Sequence, residues 1–471
     1  MKHRVPMGHA FYSVVLAAGL AAMPATSETL TDALVSAYNN SSLLEQSRAV
    51  LRASDEDVAS AVALLRPTLD YSASRTWGWS DRDQPTSDND TVTNTLGLTS
   101  QLSLYEFGRN RLAIEAAKEA VLAARQSLRN QEQQVLLSAV EAYMELRRAM
   151  EFVDLRQNNV RVLSEEMRAA NDRFEVGEVT RTDVAQAEAR LADAEANLIS
   201  AQGDLDVARE AFKLAVGRYP ENPAPPPALP RTAANEAAAR DVAVREHPQI
   251  LQAQRLVSVA EINIERAQAA VLPSLSANAS VGWSDQNAGN KTLEFEPSAS
   301  VGVELRGPIY RGGALNSAYR SATAQRDLNR AQLLRTTDQV ANNVAQAWTI
   351  QEVDRAILVS TERQINASRV AFEGTREEAT LGARTTLDVL NAEQELLDAQ
   401  AARISAAARL QVAAYAVLSS MGRLTVDYLQ LPVTAYDPSV YYNAVRNAPA
   451  VNDASGRGLQ LDRVLKSIGK Y

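Results

Sequence analysis

The chain has 471 residues, of which 48 are lysine or arginine and 57 are aspartate or glutamate, so its formal net charge is −9. The absence of cysteine excludes a disulfide framework, a zinc–thiolate site and a cysteine nucleophile. The acidic balance argues against a general nucleic-acid binder, because such proteins carry a basic surface. At about 150 residues per domain the length predicts roughly three domains, yet aromatic residues make up only 5%. Long tracts rich in alanine, leucine, glutamate, glutamine and arginine are typical of long helices.

The chain begins with the three parts of a secretory signal peptide, which we assign to residues 1–27. Lys2 and Arg4 give a basic start, and an apolar run over 11–23 precedes small residues. Cleavage after Ser27 would leave 46 basic and 57 acidic residues, a formal charge of −11. The alternative is a membrane anchor, but the apolar run is shorter than the roughly 18 residues that a spanning helix needs.

An internal repeat follows the signal peptide. At an offset of 205 residues, Gly177 matches Gly382 and Thr180 matches Thr385. The same offset pairs Asp183 with Asp388, Val184 with Val389, Glu188 with Glu393 and Leu191 with Leu396. Repeats of this length indicate a duplicated domain rather than a solenoid. We expect a first repeat over 28–219, a Pro-rich linker over 220–240, a second repeat over 241–425 and a C-terminal tail over 426–471.

Each repeat contains two segments that alternate between apolar and polar residues, which predicts strands with one apolar face. They cover 69–79, 92–104, 275–283 and 295–305. Polar segments rich in turn-forming residues connect them into two hairpins. Strands of about 10 to 12 residues can cross a bilayer when tilted, and Trp77, Trp79 and Trp283 lie where an interfacial aromatic belt is expected. The alternative is an ordinary amphipathic sheet packed on helices.

The membrane interpretation requires more than one copy of the chain. Four strands are too few to close a barrel, since the smallest stable barrels have about eight. An open sheet in lipid would leave the N–H and C=O groups of its edges unpaired. We therefore expect protomers to pool their strands, and three protomers would supply twelve.

Long proline-free stretches predict long helices in both repeats. Residues 108–173 and 313–372 contain no proline, and the first would extend roughly 100 Å at about 1.5 Å per residue. Apolar residues recur at steps of three and four along 184–212, which is a heptad seam. Shorter helices are expected over 31–66 and 182–217. The pattern predicts a wall of helices with both hairpins at one end, although an antiparallel coiled coil in a soluble protein explains the seam equally well.

A repeated turn interrupts the helices of each repeat. A glycine ends one helix in the left-handed conformation, a threonine caps the next helix, and an aspartate three residues later completes a capping box. These residues are Gly177, Thr180 and Asp183 in the first repeat, and Gly382, Thr385 and Asp388 in the second. Capping explains both turns without any further function. A second role can coexist, because carboxylates and an arginine at the end opposite the hairpins would form ion pairs that hold an entrance shut.

The sequence offers little for catalysis. One histidine, His247, remains after cleavage of the signal peptide, and we expect it to cap a helix or to face solvent. We find no nucleotide-binding loop and no catalytic triad, so the sequence predicts neither an enzyme nor a bound cofactor or metal.

These features together resemble the TolC-type outer-membrane efflux proteins. The resemblance rests on the signal peptide, the tandem repeat and two motifs, V-G-x-x-T-x-x-D-V over 176–184 and L-G-x-R-T-x-x-D-V-L-x-A over 381–392. The strand-to-helix junctions at 104–108 and 309–313 are also similar to the family's pattern. The match covers roughly residues 28–430.

The resemblance implies a mainly α-helical chain with a membrane β-barrel. In the homotrimer, four strands per protomer would form a twelve-stranded barrel in outer-membrane lipid, continuous with a long periplasmic α-helical barrel of coiled coils. The implied function is a passive exit duct for type I protein secretion or multidrug efflux. A periplasmic adaptor and an inner-membrane ABC or proton-driven transporter would open its periplasmic tip. The rival interpretation is a periplasmic coiled-coil stalk without a pore, which has no reason to contain two membrane-length hairpins.

The resemblance also implies which residues close the tip. Family members use an arginine, a Thr-Asp pair and an inner aspartate ring, and the matching positions here are Arg384, Thr182, Asp183 and Asp388. Our hypothesis is that Arg384 pairs with Asp183 or Asp388. Two positions depart from the family's pattern, because Ala379 stands where a tip tyrosine occurs and Asn391 where a second ring aspartate occurs.

Overall fold

The computed structural model of the chain describes residues 27–79, 90–288 and 296–448, together with Arg463. Residues 1–26 of the predicted signal peptide, the tips of both predicted hairpins, and residues 449–462 and 464–471 of the C-terminal tail lie outside the described residues. Within the described residues, no helix is long and apolar enough to cross a membrane.

Helices and strands follow the predicted order in both repeats. The helices are α1 (Leu30–Asn40), α2 (Ser42–Ala63), α3 (Arg109–Glu175), α4 (Arg181–Val216), α5 (Glu236–Glu246), α6 (Pro248–Ala269), α7 (Ala314–Thr380), α8 (Thr386–Ser420), α9 (Val426–Leu429) and α10 (Pro438–Val445). The strands are β1 (Thr68–Trp79), β2 (Asp90–Tyr105), β3 (Ser274–Ala288) and β4 (Glu296–Arg306). The long helices α3 and α7 contain 67 residues each, which confirms the prediction from the proline-free stretches.

The prediction of one continuous helix over 31–66 is wrong, because the chain breaks at Ser41. Ser41 has an extended backbone, and its side chain accepts a hydrogen bond from the N–H of Leu44 at 3.3 Å. The second repeat breaks at the equivalent place, where His247 caps α6 and Pro248 occupies its first turn. His247 is buried, so the capping alternative is correct and the solvated one is wrong.

Two repeat-related glycines explain why these breaks lie where they do. Gly217 follows α4 with φ of 89°, and a Cβ there would lie 2.6 Å from the Cβ of Asn40. Gly422 follows α8, and a Cβ there would lie 2.8 Å from the Cα of His247. At each break, the C-terminal end of another helix therefore contacts the chain so closely that only a glycine, which has no Cβ, fits there.

The four strands form one antiparallel sheet in the order β1-β2-β3-β4. One row across the sheet contains Tyr71, Leu98 and Val281, all exposed in the protomer. The neighbouring row is polar and pairs Asp70 with Thr99 and Thr99 with Ser280. The predicted apolar and polar faces are therefore confirmed. Strand β3 continues to Ala288, beyond the predicted end at residue 283, and Trp283 consequently lies within the strand.

Helices pack within each repeat and between the repeats. Helix α3 packs along α4, and α7 packs along α8, while α3 also contacts α6 and α8. The seam of α4 is confirmed, and its buried positions include four alanines spaced by seven residues, namely Ala187, Ala194, Ala201 and Ala208, followed by Phe212. Small side chains at these positions let the helix axes approach closely, so the seam needs few aromatic residues.

The main hydrophobic core lies where α1, the middle of α3 and the C-terminal ends of α4 and α8 meet. Tyr143 is fully buried there, with its hydroxyl 3.0 Å from the carbonyl oxygen of Glu28 and 2.8 Å from that of Ala224. The Glu28 side chain also pairs with Arg218 at 2.7 Å. These contacts fix the Pro-rich segment to the start of the first repeat, and α5 begins at Glu236, inside the predicted linker.

Candidate functional site

The two interrupted turns have nearly the same conformation. Gly177 and Gly382 have φ of 80° and 74°, a region that glycine adopts without strain. The side chain of Thr180 caps α4, and that of Thr385 caps α8. An aspartate completes each box by accepting from the threonine N–H, at 2.8 Å for Asp183 and 3.0 Å for Asp388.

These capping bonds change the acidity of the two aspartates. Hydrogen bonds from the backbone and hydroxyl of Thr180 lower the pKa of Asp183. The same two donors of Thr385 lower the pKa of Asp388, and the nearby charge of Arg384 adds a smaller effect. Both carboxylates are therefore ionised at neutral pH, and each lies at the positive end of a helix, where negative charge is favourable. The turns present fixed negative charge at one end of the molecule.

A cleft of about 530 Å³ separates the two turns of a protomer. Arg173, Glu178 and Asp183 line it from the first turn, and Arg384 and Thr385 line it from the second. Because both signs of charge face this space, the cleft suits a polar partner or polar contacts with another protomer.

Arg384 forms an ion pair with Glu378, a residue that the sequence motifs did not indicate. Its Nε donates to Oε2 of Glu378 at 2.9 Å, and this contact raises the pKa of the arginine. Glu378 corresponds by the repeat offset to Arg173, so the charge at this position is reversed between the repeats. That reversal, together with Arg384 at a position where the first repeat has Val179, is the signal that would have identified the pair.

The remaining predicted residues divide between the tip and the helix above it. Thr182 is exposed in the first turn of α4, and Ala379 lines the cleft. Asn391 lies farther along α8, where its Oδ1 accepts from Arg190 of α4 at 3.3 Å. Asn391 is thus part of a contact between the repeats rather than of the turn.

Just above the tips, a buried polar contact joins the two repeats. The Asn159 amide of α3 donates to Glu393 of α8 at 2.5 Å, and both side chains are buried. Glu166 of α3 also pairs with Arg376 of α7 at 3.2 Å. Leu163, Ala194 and Leu390 form a small apolar cluster at the same level. We call this set of contacts the inter-repeat junction.

The buried carboxyl of Glu393 should make the junction sensitive to pH. Burial raises its pKa above the ordinary value of 4.5, Asn159 partly offsets this, and the charge of Glu166 adds to it. The folded state therefore binds the proton more tightly than the unfolded state, so stability falls as pH rises from 4.5 through the raised pKa. After correction for intrinsic rates, we expect amides at the junction to exchange faster with deuterium at pH 8 than at pH 5, and Glu393→Gln to remove this difference.

Glu188, the exposed counterpart of Glu393 in the first repeat, provides the matched control. Glu188→Gln should leave the pH dependence unchanged. If the junction amides of the wild-type protein were equally protected from deuterium exchange at pH 5 and pH 8, Glu393 would titrate near its ordinary pKa.

The sequence matches known proteins along most of its length. The family model described as "Outer membrane efflux protein" matches residues 33–218 and 239–423, one match for each repeat. The outer membrane efflux protein BepC of Brucella suis is 36% identical over 428 residues, covering 91% of this chain and 92% of BepC. The alkaline protease secretion protein AprF of Pseudomonas aeruginosa is 30% identical, covering 77% of this chain and 76% of AprF.

Solved structures show the same fold at lower sequence identity. The outer membrane channel CmeC of Campylobacter jejuni superposes with a TM-score of 0.73 at 17% identity, covering 89% of both chains. The open state of the MtrE outer membrane channel of Neisseria gonorrhoeae gives a TM-score of 0.70 at 21% identity, covering 85% of this chain and 90% of MtrE. The fold is thus that of outer-membrane channels, mainly helical with membrane β-strands. The chain belongs to the outer membrane efflux protein family, and it is an outer-membrane exit channel whose helical part lies in the periplasm.

Proposed function

We propose that three copies of this chain form a passive exit duct with a twelve-stranded barrel in the outer membrane. The observation that carries the proposal is the four-stranded sheet, in which β1 and β4 each have one edge without a partner strand among the described residues. In lipid these edges need partners, and pairing β1 of one protomer with β4 of the next supplies them. The exposed row of Tyr71, Leu98 and Val281 would face the acyl chains.

The duct would deliver cargo received from other proteins at its periplasmic end. We propose a periplasmic adaptor and an energised inner-membrane transporter, of the ABC or proton-driven class, as its partners. The cleft between the two turns supports an adaptor contact there, because it is open and presents both signs of charge. The relatives BepC and AprF are an efflux protein and a protease secretion protein, so the proposal covers both classes of cargo. It includes no catalytic step.

The gate would be formed by the second-repeat turns of the three protomers. We call Arg384 the latch, because it would hold these turns together. Its pair with Glu378 fixes the guanidinium beside the cleft, and both side chains remain about half exposed in the protomer, at 52% and 54%. These exposed groups are available for contacts between protomers around the threefold axis. The ionised Asp183 and Asp388 would keep their capping bonds and add negative charge at the entrance.

Planar lipid bilayers provide the test of this proposal. Purified protein should insert in discrete steps of uniform, small conductance, since the latch keeps the tip nearly closed. Heat-dissociated protein, added in the same detergent, serves as the control and should give no steps. The absence of steps with native protein would contradict a duct and favour the stalk interpretation.

A further inference from the structure

The C-terminal segment folds back over the α2–α3 face of the first repeat. We call residues 431–448 the strap. The N–H of Tyr436 donates to the hydroxyl of Tyr38 at 3.1 Å, and the hydroxyl of Tyr441 donates to the Glu56 carboxylate of α2 at 2.6 Å. The guanidinium of Arg66 donates to two carbonyl groups at the end of the strap. The strap is therefore a fixed part of the fold and covers what lies beneath it.

A cavity of about 300 Å³ lies under the strap. Three arginines line it, Arg48 from α2 and Arg125 and Arg129 from α3. The carboxylates in the lining are Glu132 and Asp427. Glu132 already accepts from the first N–H of α9 at 2.7 Å, and burial raises its pKa. Among the residues that line the cavity, three arginines therefore face two carboxylates.

Two of these arginines are held by aromatic rings. The guanidinium of Arg48 lies 5.2 Å from the ring centroids of both Tyr38 and Tyr436. That of Arg125 lies 5.2 Å from the ring of Tyr442. Stacking fixes the planes of the guanidinium groups and leaves their edges free to donate.

Buried donors of the cavity lack acceptors within the described part of the chain. The Nε atoms of Arg48 and Arg125 and the hydroxyl of Tyr436 are buried without a hydrogen-bond partner there. Two neighbouring carboxylates, Glu45 and Asp55, do not satisfy them. Glu45 lies 3.4 Å from Nη1 of Arg48 and therefore does not satisfy Nε. Asp55 is buried, and neither of its carboxylate oxygens accepts a hydrogen bond within the described part of the chain. Burial raises the pKa of Asp55 to about 7, so this carboxyl neutralises only part of the Arg125 charge at neutral pH.

We propose that this cavity binds a small oxyanion such as inorganic phosphate. The anion accepts hydrogen bonds from Arg48, Arg125 and the Tyr436 hydroxyl, which satisfies donors whose burial is otherwise unfavourable. Because Tyr436 belongs to the strap and both arginines belong to the helices beneath it, the bound anion joins the two. Anion binding and docking of the strap are therefore thermodynamically coupled, and each stabilises the other.

Calorimetric titration of the full-length protein in detergent with inorganic phosphate tests the site. Sodium chloride at matched ionic strength serves as the reference, which separates binding from screening of charge. We expect saturable binding of one phosphate per protomer, and slower deuterium exchange of the strap amides when phosphate is present. Arg48→Gln should weaken phosphate binding at least about tenfold, because it removes a charged donor.

Two further variants keep the test decisive. Tyr436→Phe keeps the ring stacked on Arg48 and removes only the hydroxyl, so the protein should fold normally and bind phosphate several-fold more weakly. Arg111→Gln removes the same charge from α3 at a side chain that is 81% exposed, and phosphate binding should not change. No saturable binding above the chloride reference would overturn the proposal. So would wild-type affinity in Tyr436→Phe, since the anion would then lie elsewhere.

Discussion

Replacing Leu98 with arginine should abolish assembly in the outer membrane. Leu98 lies near the middle of β2, opposite Tyr71 of β1 and Val281 of β3, on the exposed apolar face. An arginine near the middle of a bilayer costs about 2–4 kcal/mol in a barrel protein, and a trimer bears this cost three times. We expect heat-resistant trimers in outer-membrane fractions to fall more than about tenfold, as measured by comparing unheated and heated samples on denaturing gels.

The adjacent residue supplies the matched control. Thr99→Arg introduces the same side chain on the opposite, polar face, where Thr99 lies between Asp70 and Ser280. We expect trimers at the wild-type level, with an altered conductance because the arginine faces the lumen. Equal amounts of trimer in both variants would show that the apolar face does not contact lipid.

Replacing Arg384 with alanine should open the channel. The substitution removes the guanidinium from each of the three protomers around the tip, so even modest effects per protomer multiply. We expect the single-channel conductance in planar bilayers to rise several-fold over wild type. Glu378→Gln should raise it as well, because Glu378 positions the guanidinium beside the cleft.

An arginine on α7, away from the turn that contains Arg384, controls for the loss of charge and of an ion pair. Arg355 pairs with Glu352 within the helix at 3.6 Å, and its side chain is 53% exposed, as compared with 52% for Arg384. Arg355→Ala should conduct like wild type. If Arg384→Ala forms trimers but conducts no more than wild type, Arg384 is not the latch.

Much of the fold can be predicted because its elements leave strong local patterns. Alternation over β1 to β4 indicated the faces of the sheet, and the proline-free stretches indicated α3 and α7. The break at Ser41 was harder to predict. Ser41 caps a helix without a nearby glycine or proline, and the tertiary contact that uses this break comes from Gly217, far away in sequence.

The candidate site shows the same division between local and tertiary information. The capping boxes of Thr180 and Thr385 are local, and their spacing predicts them. The inter-repeat junction is tertiary. Glu393 matches Glu188 at the repeat offset, yet one is buried against Asn159 and the other is exposed. The repeat pattern identifies equivalent positions but not which of them faces another helix.

Cysteine cross-linking between sheet edges tests the trimeric barrel most directly, since the chain contains no cysteine. Within a protomer β1 and β4 are separated by β2 and β3, which places them about 14 Å apart at about 4.8 Å per strand, too far for a disulfide. A disulfide between these strands must therefore join two protomers. Ala73→Cys would be combined in turn with a cysteine at each apolar-face position of β4, namely Pro297, Ala299, Val301, Val303 and Leu305.

If three protomers share one barrel, at least one of these registers gives a covalent trimer after oxidation. That trimer should survive heating in detergent and should return to monomers when reduced. Only monomers at every register, or covalent species larger than a trimer, would contradict a twelve-stranded barrel built from three protomers.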